Sequence, residues 1–217
     1  MKQVSTSFLL IFLVFLSSLA FGQKDPKAKA VLDGMSKKYQ SLNGFTANFD
    51  FTFSDAGVVQ DRQQGELAVK GEKYRLKLPD QEIFNDGKTV WTFIQSDGYK
   101  EVTINDVSQM EGELTPSNIY KMYETGYNYR LLADNTYKGK PVQVVLLVAQ
   151  KADSPFKEVK LMVDKNTQDL LAWEMSDGQG GTLSYSFREM KQAPSLSADY
   201  FVFDPKKYPG IEIIDLR

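Results

Sequence analysis

The stretch Phe45-Thr46-Ala47-Asn48-Phe49-Asp50-Phe51-Thr52-Phe53 alternates apolar and polar side chains with a period of two. A β-strand turns successive side chains to opposite faces, so the run predicts a strand with four phenylalanines on one face. One apolar face and one wet face suit an antiparallel sheet that is covered on a single side.

The alternation continues toward the C-terminus. Leu67 and Val69 alternate with Glu66, Ala68 and Lys70, and Tyr74, Leu76 and Leu78 alternate with Lys73, Arg75 and Lys77. Further strand-like runs occupy residues 89–94, 99–104, 127–133, 141–149, 158–163, 170–175 and 182–189. Turn formers separate them: Asn85-Asp86-Gly87-Lys88, Asp97-Gly98, Lys138-Gly139-Lys140, Asp164-Lys165-Asn166 and the stretch 177–181. About ten to eleven strands joined by short turns read as an up-and-down sheet rather than as βαβ units.

Toward the N-terminus the period lengthens to that of a helix. Asp25-Pro26 reads as an N-cap and first-turn proline, and Ala28, Val31, Leu32, Met35, Tyr39 and Leu42 form one apolar stripe that Gly44 can end. A second short helix is predicted after Thr115-Pro116, capped by Thr115, with Ile119, Tyr120, Met122 and Tyr123 on its apolar side and Gly126 closing it. Residues 1–22 read as a cleaved signal peptide. Lys2 gives a positive start, residues 8–16 an apolar run, and Ala20-Phe21-Gly22 a small-residue cleavage site. The apolar stretch is shorter than the ~20 residues that a spanning helix needs. Residues 23–217 are then a single exported domain, and no cysteine follows the cut to carry a lipid.

Composition narrows the chemistry. The chain has no cysteine and no histidine, which removes disulfides, thiol nucleophiles, the usual general base and the commonest metal ligands. A formal charge of −2, with cations and acids interspersed, offers no basic patch for nucleic acid. Chemistry at neutral pH would have to run on carboxylates, Lys, Tyr or Ser alone, which lowers the expectation of an enzyme, and no cofactor is expected.

A long antiparallel sheet with one apolar face must cover it, and about ten twisted strands tend to curl. The natural solution is an α+β fold, an incomplete antiparallel β-barrel whose concave side meets the helices. Phe49, Phe51, Leu67, Val69, Tyr74, Leu76, Trp91, Phe93, Leu161, Trp173, Met175 and Tyr185 would line it, with Ile119 and Met122 facing them from the short helix. Aromatic stripes of this period are usually packed core, so the residues alone stop at a secreted α+β domain with a curved sheet.

Three stretches together resemble a known family. They are Leu42-Asn43-Gly44-Phe45-Thr46-Ala47-Asn48-Phe49, residues 65–79 (GELAVKGEKYRLKLP) and residues 85–93 (NDGKTVWTF). The ending, Ala198-Asp199-Tyr200-Phe201-Val202-Phe203-Asp204-Pro205 and then Gly210-Ile211-Glu212-Ile213-Ile214-Asp215, also fits. In this order they resemble the LolA-type outer-membrane lipoprotein carrier family over nearly all of residues 23–217. The resemblance implies a half-open antiparallel β-barrel with a helical lid around a hydrophobic cavity, and a monomeric periplasmic chaperone that binds the acyl chains of lipoproteins there. It would accept them from an inner-membrane ABC exporter and deliver them to the outer membrane, with or without a dedicated acceptor there. Members commonly place Arg-Pro after the strand lysine, and that arginine holds the lid; here Lys70 is followed by Gly71-Glu72. Arg75 alternates outward as a solvated strand residue, which leaves Lys70 as the candidate substitute.

Three alternatives stay open. Lipid-sensing envelope regulators share the scaffold but usually add a second domain and an anchor, for which this chain has no segment after Ile214. A carboxylate hydrolase could use Asp80 with Glu82, or Glu111 with Glu113, two apart on one strand face. A structural envelope domain would simply have a filled core.

Overall fold

The computed structural model describes residues 24–96, 98–110 and 115–217. The predicted signal peptide and the Glu111/Glu113 pair lie outside the described residues. Helix α1 (Pro26–Ser41) starts at Asp25, whose carboxylate accepts the Lys27 N–H at 2.8 Å with Pro26 in the first turn. The other carboxylate oxygen accepts the Leu131 N–H at 3.0 Å, so the same residue caps the helix and ties it to the sheet. The helix ends at Ser41, before Gly44. Gly44, at φ +102°, instead opens the first strand where a side chain would meet the Ala193 carbonyl oxygen.

Thirteen strands are found among the described residues: β1 (Phe45–Asp55), β2 (Val58–Lys70), β3 (Lys73–Lys77), β4 (Gln81–Asn85), β5 (Thr89–Ser96), β6 (Tyr99–Asp106), β7 (Tyr127–Leu131), β8 (Asn135–Tyr137), β9 (Lys140–Ala149), β10 (Glu158–Asp164), β11 (Leu170–Ser176), β12 (Gly181–Gln192) and β13 (Glu212–Asp215). They form one sheet in the order β13-β6-β5-β4-β3-β2-β1-β12-β11-β10-β9-β7, with β8 paired to β9. Every pairing is antiparallel except β13 on β6, and the ends β13 and β7 do not join. The barrel is therefore unclosed, as expected. β1 has irregular register at Asn48/Phe49 against β12 and at Phe53/Ser54 against β2, the bulges that let a strand bend.

The strands beyond those read from sequence are β4, β8 and β13. In β4, Ile83 and Phe84 are adjacent and packed in different apolar clusters, so no alternation marks the strand. The larger cluster joins Leu32, Met35 and Tyr39 of α1 to Val145, Leu147, Val159 and Leu161 of β9 and β10 and to Phe45 and Phe49 of β1. The smaller one lies on the other face, where Phe203, Tyr208 and Ile211 of the C-terminal segment cover Phe84, Trp91, Phe93 and Val102.

The predicted second helix is a run of turns over residues 116–121 followed by a 3-10 turn, Met122–Glu124. Ile119 N–H reaches the Thr115 carbonyl at 3.1 Å, after which the bonds shorten to three residues, Lys121 to Asn118 and Glu124 to Lys121. A helix this short gains too few hydrogen bonds to offset its nucleation, and packing decides its shape. Ile119, Tyr120, Met122 and Tyr123 are nonetheless buried, so the segment covers the sheet as a lid beside α1.

Candidate functional site

Between the lid and the inner face of the sheet lies a cavity of about 610 Å³. β1 contributes Phe49 and Phe51, β2 Leu67 and Gln63, β3 Tyr74 and Leu76, and β11 and β12 Trp173, Met175, Tyr185 and Phe187. Leu78, Ile83, Ile94 and the lid residues Thr115, Pro116 and Ile119 complete the apolar wall, and Asp80 and Gln81 add polar groups. Strand alternation puts these side chains on one face, and register sets them side by side: Phe51 pairs with Tyr185, and Trp173 pairs with Tyr185. The rings form a continuous wall. Trp173 stacks on Tyr185 at 4.9 Å, and Phe51 lies 5.0 Å from the same tyrosine.

One glycine shapes that wall. The Phe49 ring lies over Gly65 on β2, where a Cβ would stand 2.3 Å from Phe49 Cζ and 2.8 Å from the Lys77 carbonyl oxygen. A side chain there would push the ring or the strand, which is how glycine in a strand permits a close approach.

Nine of the fourteen predicted lining residues meet in this cavity: Phe49, Phe51, Leu67, Tyr74, Leu76, Ile119, Trp173, Met175 and Tyr185. Val69, Met122 and Leu161 belong to the same apolar cluster, but are packed solid away from the void. Trp91 and Phe93 are corrections. Phe93 pairs with Glu82 and Trp91 with Phe84, which puts both on the opposite face, under Phe203 and Tyr208. Their strand is apolar on both sides, with Val90 buried and Ile94 at the cavity, and period two cannot say which side is inside. Leu78, Ile83, Ile94 and Phe187 were missed, although Leu78 and Phe187 follow the alternation of their strands.

Among the described residues the cavity holds no obvious reactive group. Burial raises the pKa of the Tyr185 hydroxyl and, in the lid, that of Tyr120, so both phenols stay neutral at ordinary pH. Among the described residues no cluster of His, Cys, Asp and Glu could hold a metal. The Asp80/Glu82 pair is split. Asp80 lines the cavity, while Glu82 sits on the other face and accepts Arg75 Nε at 2.7 Å. Arg75 does point outward, but it is only partly exposed: its guanidinium lies between the Phe84 and Tyr200 rings, at 4.6 and 4.8 Å.

The family model for the outer membrane lipoprotein carrier protein LolA matches residues 16–179, most of the chain. The chain belongs to the LolA family. No curated protein matches it. Among solved structures, a conserved protein from Thermus thermophilus superposes with a TM-score of 0.58 at 12% identity, covering 87% of this chain and 99% of that one. This likeness is one of fold alone. The LolA superfamily protein NE2245 from Nitrosomonas europaea gives 0.43 at 13% identity, covering 82% and 98%. LprF from Mycobacterium bovis gives 0.47 at 14%, covering 81% and 97%.

For a LolA-family chain, the lid contacts take an unexpected form. Lys70 does not reach the lid: its Nζ donates to the Pro194 and Leu196 carbonyls at 3.0 and 2.7 Å and pins the segment after β12. Alternation explains this, since Leu67 and Val69 face the lid and Lys70 faces away. One residue past the vacant arginine position, Glu72 accepts Lys121 Nζ of the lid at 2.9 Å. The anion is on the sheet and the cation on the lid. Two further contacts join the lid to α1. Tyr120 stacks on Tyr39 at 5.5 Å, and the Tyr123 hydroxyl donates to Asp33 Oδ1 at 2.9 Å. Burial, helped by that bond to Asp33, pushes the Tyr123 pKa up to about 12.

Proposed function

We propose that this protein is an exported, monomeric, non-enzymatic carrier that holds the acyl chains of lipoproteins in the cavity and moves them between membranes. In this reading residues 1–22 are removed on export and residues 23–217 work as one periplasmic domain. The donor is an inner-membrane ABC exporter and the destination is the outer membrane. The observation that supports it is the void of about 610 Å³, walled by Phe49, Phe51, Trp173 and Tyr185 and covered by a lid. A large hollow open to the surface and walled mainly by apolar side chains is the usual form of a small-molecule binding site, whereas a purely structural domain would cover those side chains.

The energetics suit transport. Burying a methylene gains about 0.8 kcal/mol relative to water, so a ~16-carbon chain gains about 12 kcal/mol. A membrane offers the same gain, and a carrier must bind with a similar free energy if it is to receive and release. The lid is held by an ion pair, a hydrogen bond, ring stacking and the burial of Ile119, Tyr120, Met122 and Tyr123, and the free energy its opening costs lowers net affinity toward that of the membrane.

Mass spectrometry of the protein purified from its native envelope tests the reading. Co-purifying acylated protein is expected, and Phe51→Asp should abolish it by putting a charge in the wall. A native preparation without lipid, or equal lipid in Phe51→Asp, would count against it.

A further inference from the structure

One end of the sheet carries both the cavity mouth and two apolar hairpin tips. Antiparallel strands return to the same end at every second turn, so the β1–β2, β3–β4 and β5–β6 turns all lie there. Leu78, Asp80, Gln81 and Ile94 line the cavity at this end. The lid is tied down at the other, where Lys121 meets Glu72 of the β2–β3 turn.

The hairpins reach unequal heights. β3 ends at Lys77, opposite Glu66, but β2 stays paired with β1 as far as Val58 and Asp55. The β1–β2 hairpin therefore stands about five residues beyond the β3–β4 turn, or about 15 Å at the rise of a strand. The β5–β6 hairpin also passes that turn, to Ser96 and Tyr99. β3 and β4 lie between the two, which sets β2 and β5 three strand spacings apart, about 14 Å. The cavity opens in the notch between them.

Both tips expose large apolar side chains. Val58 and Val59 are 62 and 42% exposed on one, and Ile94 and Tyr99 are 38 and 43% exposed on the other. Ile94 also lines the cavity, so its apolar wall continues onto the rim. Two convex points this far apart fit no single protein groove, whereas a fluid apolar phase takes each tip separately. A tyrosine suits the boundary of such a phase, where the ring is buried and the hydroxyl stays hydrated. Among the described residues the charges beside the tips are Asp55, Asp61 and Asp80 against Arg62 and Lys100, which gives no pull toward anionic headgroups.

We propose that the two hairpin tips dip into the surface of a zwitterionic bilayer and set the cavity mouth against it. An acyl chain then has a path between bilayer and cavity that avoids water. That use of the docking rests on the carrier reading; the docking is tested apart from it.

Flotation with phosphatidylcholine vesicles, run on the delipidated protein, is the test. The protein should float, and Val58→Asp with Val59→Asp should lower its partition coefficient about tenfold or more. Tyr99→Ser, on the second tip, should lower it about threefold. Leu216→Asp should leave it unchanged, because Leu216 is as exposed but lies beside Ile104, toward the other end of β6. Val58 and Val59 belong to neither apolar cluster, so the fold should survive their replacement, and Tyr99→Ser carries the test if it does not. Adding phosphatidylglycerol should not strengthen binding. No flotation, or flotation unmoved by the tip variants, overturns the proposal. So does flotation that needs phosphatidylglycerol and is lost in salt, which would assign docking to exposed lysines of α1 such as Lys27 and Lys37. Lipid that co-purifies with a protein that does not float leaves the carrier reading standing without the docking; flotation without co-purifying lipid does the reverse.

Discussion

The inner face of one curved sheet is filled at one end and vacant at the other. Where α1 lies over β9 and β10, Leu32, Met35, Val145, Leu147, Val159 and Leu161 are fully or almost fully buried, and aliphatic chains interlock without a void. Toward β1, β3 and β12 the facing residues are Phe49, Phe51, Tyr74, Tyr185 and Phe187, and the space above them stays open. Aliphatic side chains with few rotamers suit a packed interior, whereas large rings supply broad walls that bear on one another tilted or stacked. The same strand alternation serves both ends. What differs is whether a helix or only a short lid lies above.

The comparison breaks if the two ends respond alike to truncation. Leu161→Ala in the filled end should cost about 2–5 kcal/mol, and Phe93→Ala in the opposite-face cluster about 3–5, both read by urea unfolding, with lipid occupancy of the folded protein unchanged. Phe51→Ala borders an existing void and should cost less than a buried phenylalanine, about 2 kcal/mol or below, yet reduce lipid occupancy severely. A stability loss at Phe51 as large as at Leu161 would mean that the open end is also structural core.

Smaller effects concern the lid. Glu72→Lys replaces the Lys121 contact with repulsion; Glu72 is 67% exposed, so global stability should change by less than about 1 kcal/mol. Hydrogen exchange over residues 115–124 should nevertheless quicken while exchange in β9 and β10 stays slow. The smallest effect is on acidification. Asp33 is held below the usual carboxylate range by Lys29 Nζ and also by the Tyr123 hydroxyl. A depressed folded value means that its contribution is present above about pH 4 and is lost as pH falls through the folded value. Protection of the lid amides, relative to their intrinsic exchange at each pH, should therefore fall at low pH, and Asp33→Asn should flatten that dependence.

Much of the architecture could be read from local pattern because each signal lay within one segment. Period two in residues 45–53 assigned Phe49 and Phe51 to one face, and the helical stripe of Ala28, Val31, Leu32, Met35 and Tyr39 assigned α1 to cover it. Cap chemistry at Asp25-Pro26 located the helix start to the residue. Other features depended on segments far apart in the chain. Trp91 and Phe93 lie opposite the cavity because Phe203 and Tyr208, about a hundred residues later, return over that face; alternation separates two faces but cannot tell which one is inside. Lys70 and Arg75 likewise found partners that only the folded chain brings near, Pro194 and Leu196 for one and Glu82 with Tyr200 for the other.

The amino-acid order by itself determined that a curved antiparallel sheet would follow an amphipathic helix, because hydrophobic period is a property of consecutive residues. Only the tertiary structure decided that part of the inner face stays vacant, since a void is space that no residue fills and depends on how far every covering element reaches.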